Sequence, residues 1–396
     1  MLQYCLFGII TTAILIFLYI RLKFKFWSIQ PVFHIYDINH WLITDKVIDL
    51  ELPKANKYVK LMDINTFSTK ELSHCEKKDI SKFICDNFIH SSLADYSPTQ
   101  DDIFPYFTTN IGKSYVSIFL DNIVKSYDIE CEGIISRKRD IIGVIMSRPL
   151  FVTFSGKTPM IVNYIDNLTV RSDRRKEGVA PNLIQTHQYQ IRHFNPLANV
   201  CIFKREGDMT AIVPLTLYMT KEFNVVDICA KRVKLVERLV KIDKSNFIHF
   251  KSIVKTCLPK FACTLNMELT TLFELILLSK IVIYVLLNGI SPICCYVLRR
   301  TPFVAEGCLN CIELISTINC APFIDIFFAG FQTACRRESR NHKIQRIIME
   351  ETGDTCSLVC EMKKHNIMCK TECPTAFFLY NYAHYSIQPE HCFFIY

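Results

Sequence analysis

The chain has 396 residues, of which half are hydrophobic and 12% aromatic, with a formal net charge of +8. That apolar share supports one large or two ordinary folded domains and excludes a disordered chain. The positive excess is spread out, with no dense Lys/Arg run interleaved with aromatics, so no nucleic-acid partner is expected.

Residues Leu2 to Ile20 are apolar throughout apart from short polar interruptions, and Arg21, Lys23 and Lys25 follow at once. About 20 apolar residues cross a bilayer, and positive charge favours the cytoplasmic side. The stretch before the apolar run carries no basic side chain, and no small-residue cleavage site follows, unlike a signal peptide. The expectation is one transmembrane anchor, residues 1–21, with the rest of the chain facing the cytosol.

Lys70 to Phe88 has helical periodicity, with Leu72, Ile80, Phe83 and Ile84 on one face. Ile134-Ile135, Ile141 to Met146 and Leu150 to Phe154 read as strands separated by charged turns, and Ile161 to Val170 as a further strand. A helix is predicted from Gly178 to Phe194, with Val179, Leu183, Ile184 and Ile191 inward, followed by a strand over 198–203. A basic helix is expected around Lys231 to Val240, and Leu272 to Leu287 reads as buried helix or strand. The apolar end Cys392 to Tyr396 is expected to pack inside the molecule, since most termini are polar and frayed.

The 19 cysteines are odd in number and irregularly spaced. They fit reduced, mostly buried thiols better than a secreted disulfide framework. Cys356, Cys360, Cys369 and Cys373 lack a ribbon-type zinc spacing, and Cys308 with Cys311 lacks the context of a redox pair. No metal site is expected. There is no Gly-rich phosphate loop and no Gly-x-Ser-x-Gly elbow, which argues against nucleotide-dependent phosphoryl transfer, dinucleotide oxidoreduction and serine hydrolysis.

The most informative arrangement lies at residues 161–194. A strand ends at Val170, a basic stretch runs Arg171 to Glu177, and Gly178-Val179-Ala180-Pro181 opens a helix. A helix start presents unpaired N–H groups and a positive dipole end, which suit a pyrophosphate. Gly178 lets an anion approach the backbone, and Arg and Lys add charge-assisted hydrogen bonds. Taken alone, such a loop is more often a solvated turn.

The run Val170 to Pro181 resembles the acyl-CoA loop of eukaryotic N-myristoyltransferases without a gap, sharing the Val, the Arg at Arg175 and the Val-Ala-Pro. Phe26-Trp27-Ser28-Ile29-Gln30-Pro31-Val32 resembles that family's Phe-Trp-x-Thr-Gln-Pro-Val segment. Asp95-Tyr96-Ser97-Pro98 and Phe378-Leu379-Tyr380-Asn381-Tyr382 resemble two further family elements, in the same order.

The resemblance implies an α/β fold of two tandem N-acetyltransferase-like halves in one saddle-shaped unit. Residues 22–225 would hold acyl-CoA and residues 226–396 would form most of the peptide groove. The implied activity is transfer of a myristoyl group from myristoyl-CoA, a co-substrate, to the N-terminal glycine amine of protein substrates. No permanently bound cofactor and a monomeric chain are expected. By the same resemblance, the main-chain carboxylate of Tyr396 is the base and the backbone amides of Asn167 and Leu168 receive the thioester oxygen. Thr169, Val170, Arg175, Lys176, Gly178, Val179 and Ala180 would line the coenzyme A site, and Lys25, Phe26 and Trp27 would close over its adenine end. Tyr218 would border the peptide groove.

This chain departs from the pattern at Asn167, Lys176 and Gly178, and has Cys201-Ile202-Phe203-Lys204 where the family has a small hydroxyl-containing turn. Two other functions fit the same residues: a non-catalytic protein that holds acyl-CoA or a lipidated peptide at a membrane, and a short-chain acyltransferase.

Overall fold

A computed structural model describes residues 2–88, 95–109, 112–121, 140–197, 199–208, 210–230, 237–305 and 309–396. Among them, one sheet holds fifteen strands. From one edge its main path runs Cys392–Ile395, Cys263–Asn266, Asp140–Phe154, Met160–Val170, Cys201–Glu206, Thr371–Tyr380, Thr216–Asn224, Arg346–Glu350, Leu309–Asn319, Ser291–Ala305, Ile281–Asn288 and Arg238–Lys241. Helices pack on its faces, giving a mixed α/β architecture.

One pattern occurs twice. Asp140–Phe154 and Met160–Val170 form an antiparallel hairpin, the helix Val179–Phe194 crosses over, and Cys201–Glu206 returns parallel to the second strand. Ser291–Ala305 and Leu309–Asn319 pair in the same way, the helix Ile324–His342 crosses over, and Arg346–Glu350 returns parallel. Between the two returning strands lie Thr371–Tyr380 and Thr216–Asn224. The late strand pairs with Cys201–Glu206 and the early one with Arg346–Glu350, so each unit lends a strand to the other.

Local chemistry explains the elements that position the site. The helix His74–Asn87 begins in a capping box, with Ser73 and Glu76 satisfying each other's backbone. It buries Ile80, Phe83 and Ile84, the expected apolar face. The helix Val179–Phe194 starts after Gly178, whose φ of 81° is a left-handed conformation that glycine adopts without strain. Its Val179, Leu183 and Ile191 are buried. Leu272 to Leu287 divides at Ser279, whose φ of 57° turns the chain from the helix Leu269–Leu277 into the strand Ile281–Asn288.

Three expectations are corrected. The two strands expected on either side of Ser147-Arg148 are one continuous strand, Asp140–Phe154. Arg148 does not make a turn because its guanidinium is buried among the rings of Tyr106, Phe107 and Tyr164. Ile134-Ile135 lie outside the described residues, as do residues 231–236 of the expected basic helix. The remainder of that helix is the edge strand Arg238–Lys241, paired with Ile281–Asn288.

The third correction concerns the N-terminus. Among the described residues no helix is long and apolar enough to cross a membrane. The single-pass anchor and the cytosol-facing placement that depended on it are therefore not supported. The segment does form a helix, Leu2–Lys23. The last turns are tied to the folded body: Ile20 is buried, and Phe17 meets Tyr36 edge-on at 5.0 Å.

The end of the chain is packed inside. Cys392–Ile395 runs parallel to Cys263–Asn266, and Phe393, Phe394, Ile395 and Tyr396 are all buried. Phe394 meets Phe377 edge-on at 4.8 Å, and Phe393 stacks on Phe261 at 5.2 Å. Truncating a buried aromatic costs the transfer free energy plus a cavity, about 3–5 kcal/mol. Phe394→Ala is therefore expected to lower the unfolding free energy by about that amount in urea titrations. A change below about 1 kcal/mol would contradict this packing.

Candidate active site

The site begins where two parallel strands part. Met160–Val170 and Cys201–Glu206 are in register at Asn163 with Cys201, Tyr164 with Ile202 and Ile165 with Phe203, and no further, although both strands continue. Beyond those pairs lies a cavity of about 750 Å³, lined by Asn167 and Leu168 on one side and Lys204, Arg205 and Glu206 on the other.

Alternate residues of a strand face opposite sides of the sheet, which gives the cavity two unlike compartments. Ile165 belongs to the apolar one, with Trp27, Ile184 and Phe203. There Trp27 stacks on Phe203 at 5.7 Å. Tyr164 and Asp166 face the other compartment, which holds Arg148, Lys204, Arg299, Glu313 and Tyr396.

The strand Met160–Val170 carries an irregularity at this place. Asp166 pairs with Met146 and Thr169 with Val144, so Asn167 and Leu168 together oppose Ile145. This is a β-bulge. Asn167 takes φ 51°, a left-handed value that Asn tolerates better than most side chains. The bulge removes two backbone amides from the ladder register. The Asn167 N–H donates to Oδ1 of Asp166 at 2.8 Å.

Tyr396 lies in the charged compartment, 1% exposed. Its ring is edge-on to Phe377 at 5.2 Å and tilted against Tyr164 at 5.4 Å. The Arg299 guanidinium lies over the ring, 4.8 Å from its centroid, and NH1 donates to the Tyr396 main-chain oxygen at 3.3 Å. Arg299 Nε also donates to Glu313 at 2.5 Å, so one guanidinium joins the chain end to a buried carboxylate.

The Tyr396 hydroxyl bonds Glu350, which also accepts from Tyr218 at 3.1 Å and from Lys204 Nζ at 3.1 Å. Burial, the largest single influence, pulls the Lys204 ammonium down, but Glu350, Tyr396, Glu206 and Tyr218 together outweigh it and hold the group well above its ordinary range. Burial and Glu350 both push the Tyr396 phenol up, so it stays protonated.

The loop before the helix Val179–Phe194 is less positive than its composition implies. Arg171 pairs with Asp173 at 2.7 Å, and Arg174 pairs with Asp121 at 2.6 Å and Glu177 at 2.7 Å. Arg175 NH2 donates to the Asn87 carbonyl at 2.6 Å, and Lys176 is exposed at φ 68°. A side-chain carbon added at Gly178 would meet nothing within 4 Å, so the approach to the helix start is open.

No protein-family model and no curated protein matches the sequence. Solved structures do match in fold. Saccharomyces cerevisiae N-myristoyltransferase with bound myristoyl-CoA aligns at a TM-score of 0.69 and 13% identity, covering 92% of this chain and 94% of that one. A second structure of that enzyme with myristoyl-CoA aligns at 0.70 and 13%, covering 93% and 90%. A third, with myristoyl-CoA and inhibitors, aligns at 0.70 and 12%, covering 92% and 91%.

The chain has the N-myristoyltransferase fold.

The expected site residues do not all reach the cavity. Trp27, Asn167, Leu168 and Tyr396 line the cavity. Thr169, Val170, Arg175, Lys176, Gly178, Val179 and Ala180 follow Leu168 into the loop and first helical turn, outside the cavity lining. Lys25 is exposed, and Phe26 is buried edge-on to Tyr58 at 5.2 Å. Tyr218 does not line the cavity and reaches the site through Glu350. Two of the motifs meet in space: Tyr380 donates to Oε1 of Gln30 at 2.8 Å, and the Asn381 N–H to the Pro31 carbonyl at 2.7 Å.

Arg148, Asp166, Arg299, Glu313 and Glu350 were missed, and Lys204 was noted only as part of a departing turn. Arg148 had a readable signal, a charge between two apolar runs long enough to be one strand. The others are single charges whose burial depends on distant strands. Among the described residues, no group of three or more His, Cys, Asp or Glu side chains is placed to hold a metal ion. Cys308 lies outside the described residues.

His187 is buried in the cavity wall, with Nδ1 2.7 Å from the Ser117 hydroxyl. Burial lowers it from 6.5 to about 3. The unfolded chain takes up this proton below about pH 6.5 and the folded chain does not until about pH 3. The stability contribution is thus complete above pH 6.5 and is lost as pH falls. In denaturation at stepped pH, His187→Gln is expected to flatten the acid slope by up to about 1.4 kcal/mol per unit between pH 6 and 4. Equal slopes for the two proteins would show that His187 is protonated in the fold.

Proposed function

We propose that this chain transfers a long-chain acyl group, myristoyl by the likeness of fold, from acyl-CoA to the N-terminal glycine amine of protein substrates. One juxtaposition supports this best: Asn167 and Leu168, at the bulge, line the same cavity as Tyr396, and one wall of that cavity is apolar while the other is charged. The solved structures that share the fold hold myristoyl-CoA.

The chain would work as two related halves meeting near residue 225, as the repeated hairpin, crossover helix and parallel strand support. The N-terminal half, 22–225, holds acyl-CoA. Its pyrophosphate sits at the open start of the helix Val179–Phe194, against Thr169, Val170, Arg175, Lys176, Gly178, Val179 and Ala180. Lys25, Phe26 and Trp27 cover the adenine end, and the acyl chain enters the compartment of Trp27, Ile165 and Phe203. The half 226–396 supplies most of the acceptor groove, and Tyr218 shapes it through Glu350.

In the reaction the Tyr396 main-chain carboxylate takes a proton from the glycine ammonium. The freed amine attacks the thioester carbon, and the Asn167 and Leu168 amides hold the oxygen as charge develops. The carbon–sulfur bond breaks, coenzyme A leaves as its thiol with a proton from the attacking nitrogen, and an amide remains. Arg299 orients the carboxylate.

A second function, a non-catalytic acyl-CoA or lipidated-peptide binder, is favoured by one observation, the Asp166 carboxylate that occupies the Asn167 amide.

The two separate in one experiment. The chain ending at Tyr396 is mixed with myristoyl-CoA and a peptide beginning in Gly, and free thiol and peptide mass are followed. A copy extended by a few residues beyond Tyr396 is run in parallel. The expected result is transfer by the first and a loss of at least about 100-fold in the second, the scale of removing a general base. Tight acyl-CoA binding without transfer to a broad set of Gly peptides identifies the binding protein instead.

A further inference from the structure

Two side chains on the charged side of the cavity have complementary needs: a carboxylate that sits on a bulge amide and a buried guanidinium short of acceptors. The Asp166 carboxylate accepts from the Asn167 N–H at 2.8 Å. At that position it takes a donor meant for the thioester oxygen and sets negative charge where more negative charge would develop. Arg148 is 1% exposed, with its guanidinium carbon 5.3, 5.8 and 5.0 Å from the ring centroids of Tyr106, Phe107 and Tyr164. Its Nε and NH1 are buried without a hydrogen-bond partner. Aromatic faces attract a guanidinium but do not replace its hydrogen bonds, and a buried cation without an acceptor is expensive.

The two residues are near neighbours on one hairpin. Arg148 pairs with Tyr164 and Met146 with Asp166, so Arg148 and Asp166 stand diagonally on the same face. Diagonal neighbours are roughly 7–8 Å apart, within reach of a long side chain. Both line the cavity. Rotation of the Asp166 side chain about its Cα–Cβ bond would take the carboxylate off its own following amide, and Arg148 is the cation next to it on that face of the hairpin.

Resting on the acyl-CoA function proposed above, we propose that Asp166 is a switch, which closes the bulge amides in the empty site and swings to Arg148 when a thioester carbonyl takes the Asn167 N–H. Arg148 is then a positioning residue. It receives the displaced carboxylate, neutralises it and keeps the amide available. Carbonyl binding and charge pairing are thereby coupled, and the bulge amides open only for a ligand that brings an oxygen to them.

The test uses binding rather than turnover. One ligand is a coenzyme A thioether whose long alkyl chain carries a ketone one carbon from sulfur, and the other is the plain alkyl thioether of the same length. Wild type, Asp166→Ala, Arg148→Met and the double variant are titrated with both. Asp166→Ala is expected to bind the ketone about 10-fold tighter than wild type, because the closing contact is gone. Arg148→Met is expected to bind it about 10-fold more weakly, and the double variant as tightly as Asp166→Ala. The plain thioether should bind equally to all four, which also shows that each variant is folded.

Ketone affinities unchanged by Asp166→Ala, or an Arg148→Met loss that persists in the double variant, overturn the switch while plain thioether binding leaves the acyl-CoA function standing. Ketone binding by Arg148→Met equal to that of wild type also overturns it, because the displaced carboxylate then needs no guanidinium. Wild type that binds neither ligand overturns the acyl-CoA function and the switch with it.

Discussion

The parting of two parallel strands after three residue pairs is the constraint on which the site depends. Had Met160–Val170 and Cys201–Glu206 stayed in register to their ends, their side chains would have closed the space between Leu168 and Lys204. Because they part, the sheet gains an opening at its centre. The bulge at Asn167 and Leu168 lies on one lip of that opening, and the charged end of Cys201–Glu206 on the other. The helix Val179–Phe194 joins the two strands, so its first turn is carried to the same opening.

The opening is held by a costly arrangement of buried charge. Lys204, Glu350, Tyr218 and Tyr396 share hydrogen bonds around one carboxylate, and Arg299 joins Glu313 to the main chain of Tyr396. Such networks contribute little net stability against an apolar alternative, but removal of one member leaves a buried charge unpaired. Their value here is geometric. Glu350 comes from the second strand–helix–strand unit and Lys204 from the first, so the ion pair crosses the exchange of strands at the sheet's centre. The chain end is located twice, by strand pairing with Cys263–Asn266 and by these polar contacts.

The apolar compartment has a different origin. Trp27 stacks on Phe203, which stacks on Phe378 at 5.4 Å, while the Gln30–Pro31 segment is fastened to Tyr380 and Asn381. Residues close to the beginning of the chain are thus anchored by residues close to its end. The apolar wall of the cavity is a product of that closure and not of any local segment.

Much of the scaffold was legible in the residues themselves. Periodicity located the helices His74–Asn87 and Val179–Phe194. The strand into Val170 and the apolar Cys392–Tyr396 followed from side-chain pattern, and Gly178 marked where the helix opens. The Asp140–Phe154 strand was misread because a charge usually marks a turn, and the aromatic cage that accepts Arg148 is assembled from residues 42 and 16 positions away or so in the chain. The helix expected before Val240 gave way to an edge strand because pairing with Ile281–Asn288 decides the backbone there. The chain by itself determined which segments are helical or extended and where the chain needs glycine, since those depend on neighbours within a few residues. Only the tertiary structure decided which charges are buried together, where the bulge frees an amide for Asp166 and which side of the opening is apolar, because those are set by the order and register of strands that pattern within one segment does not specify.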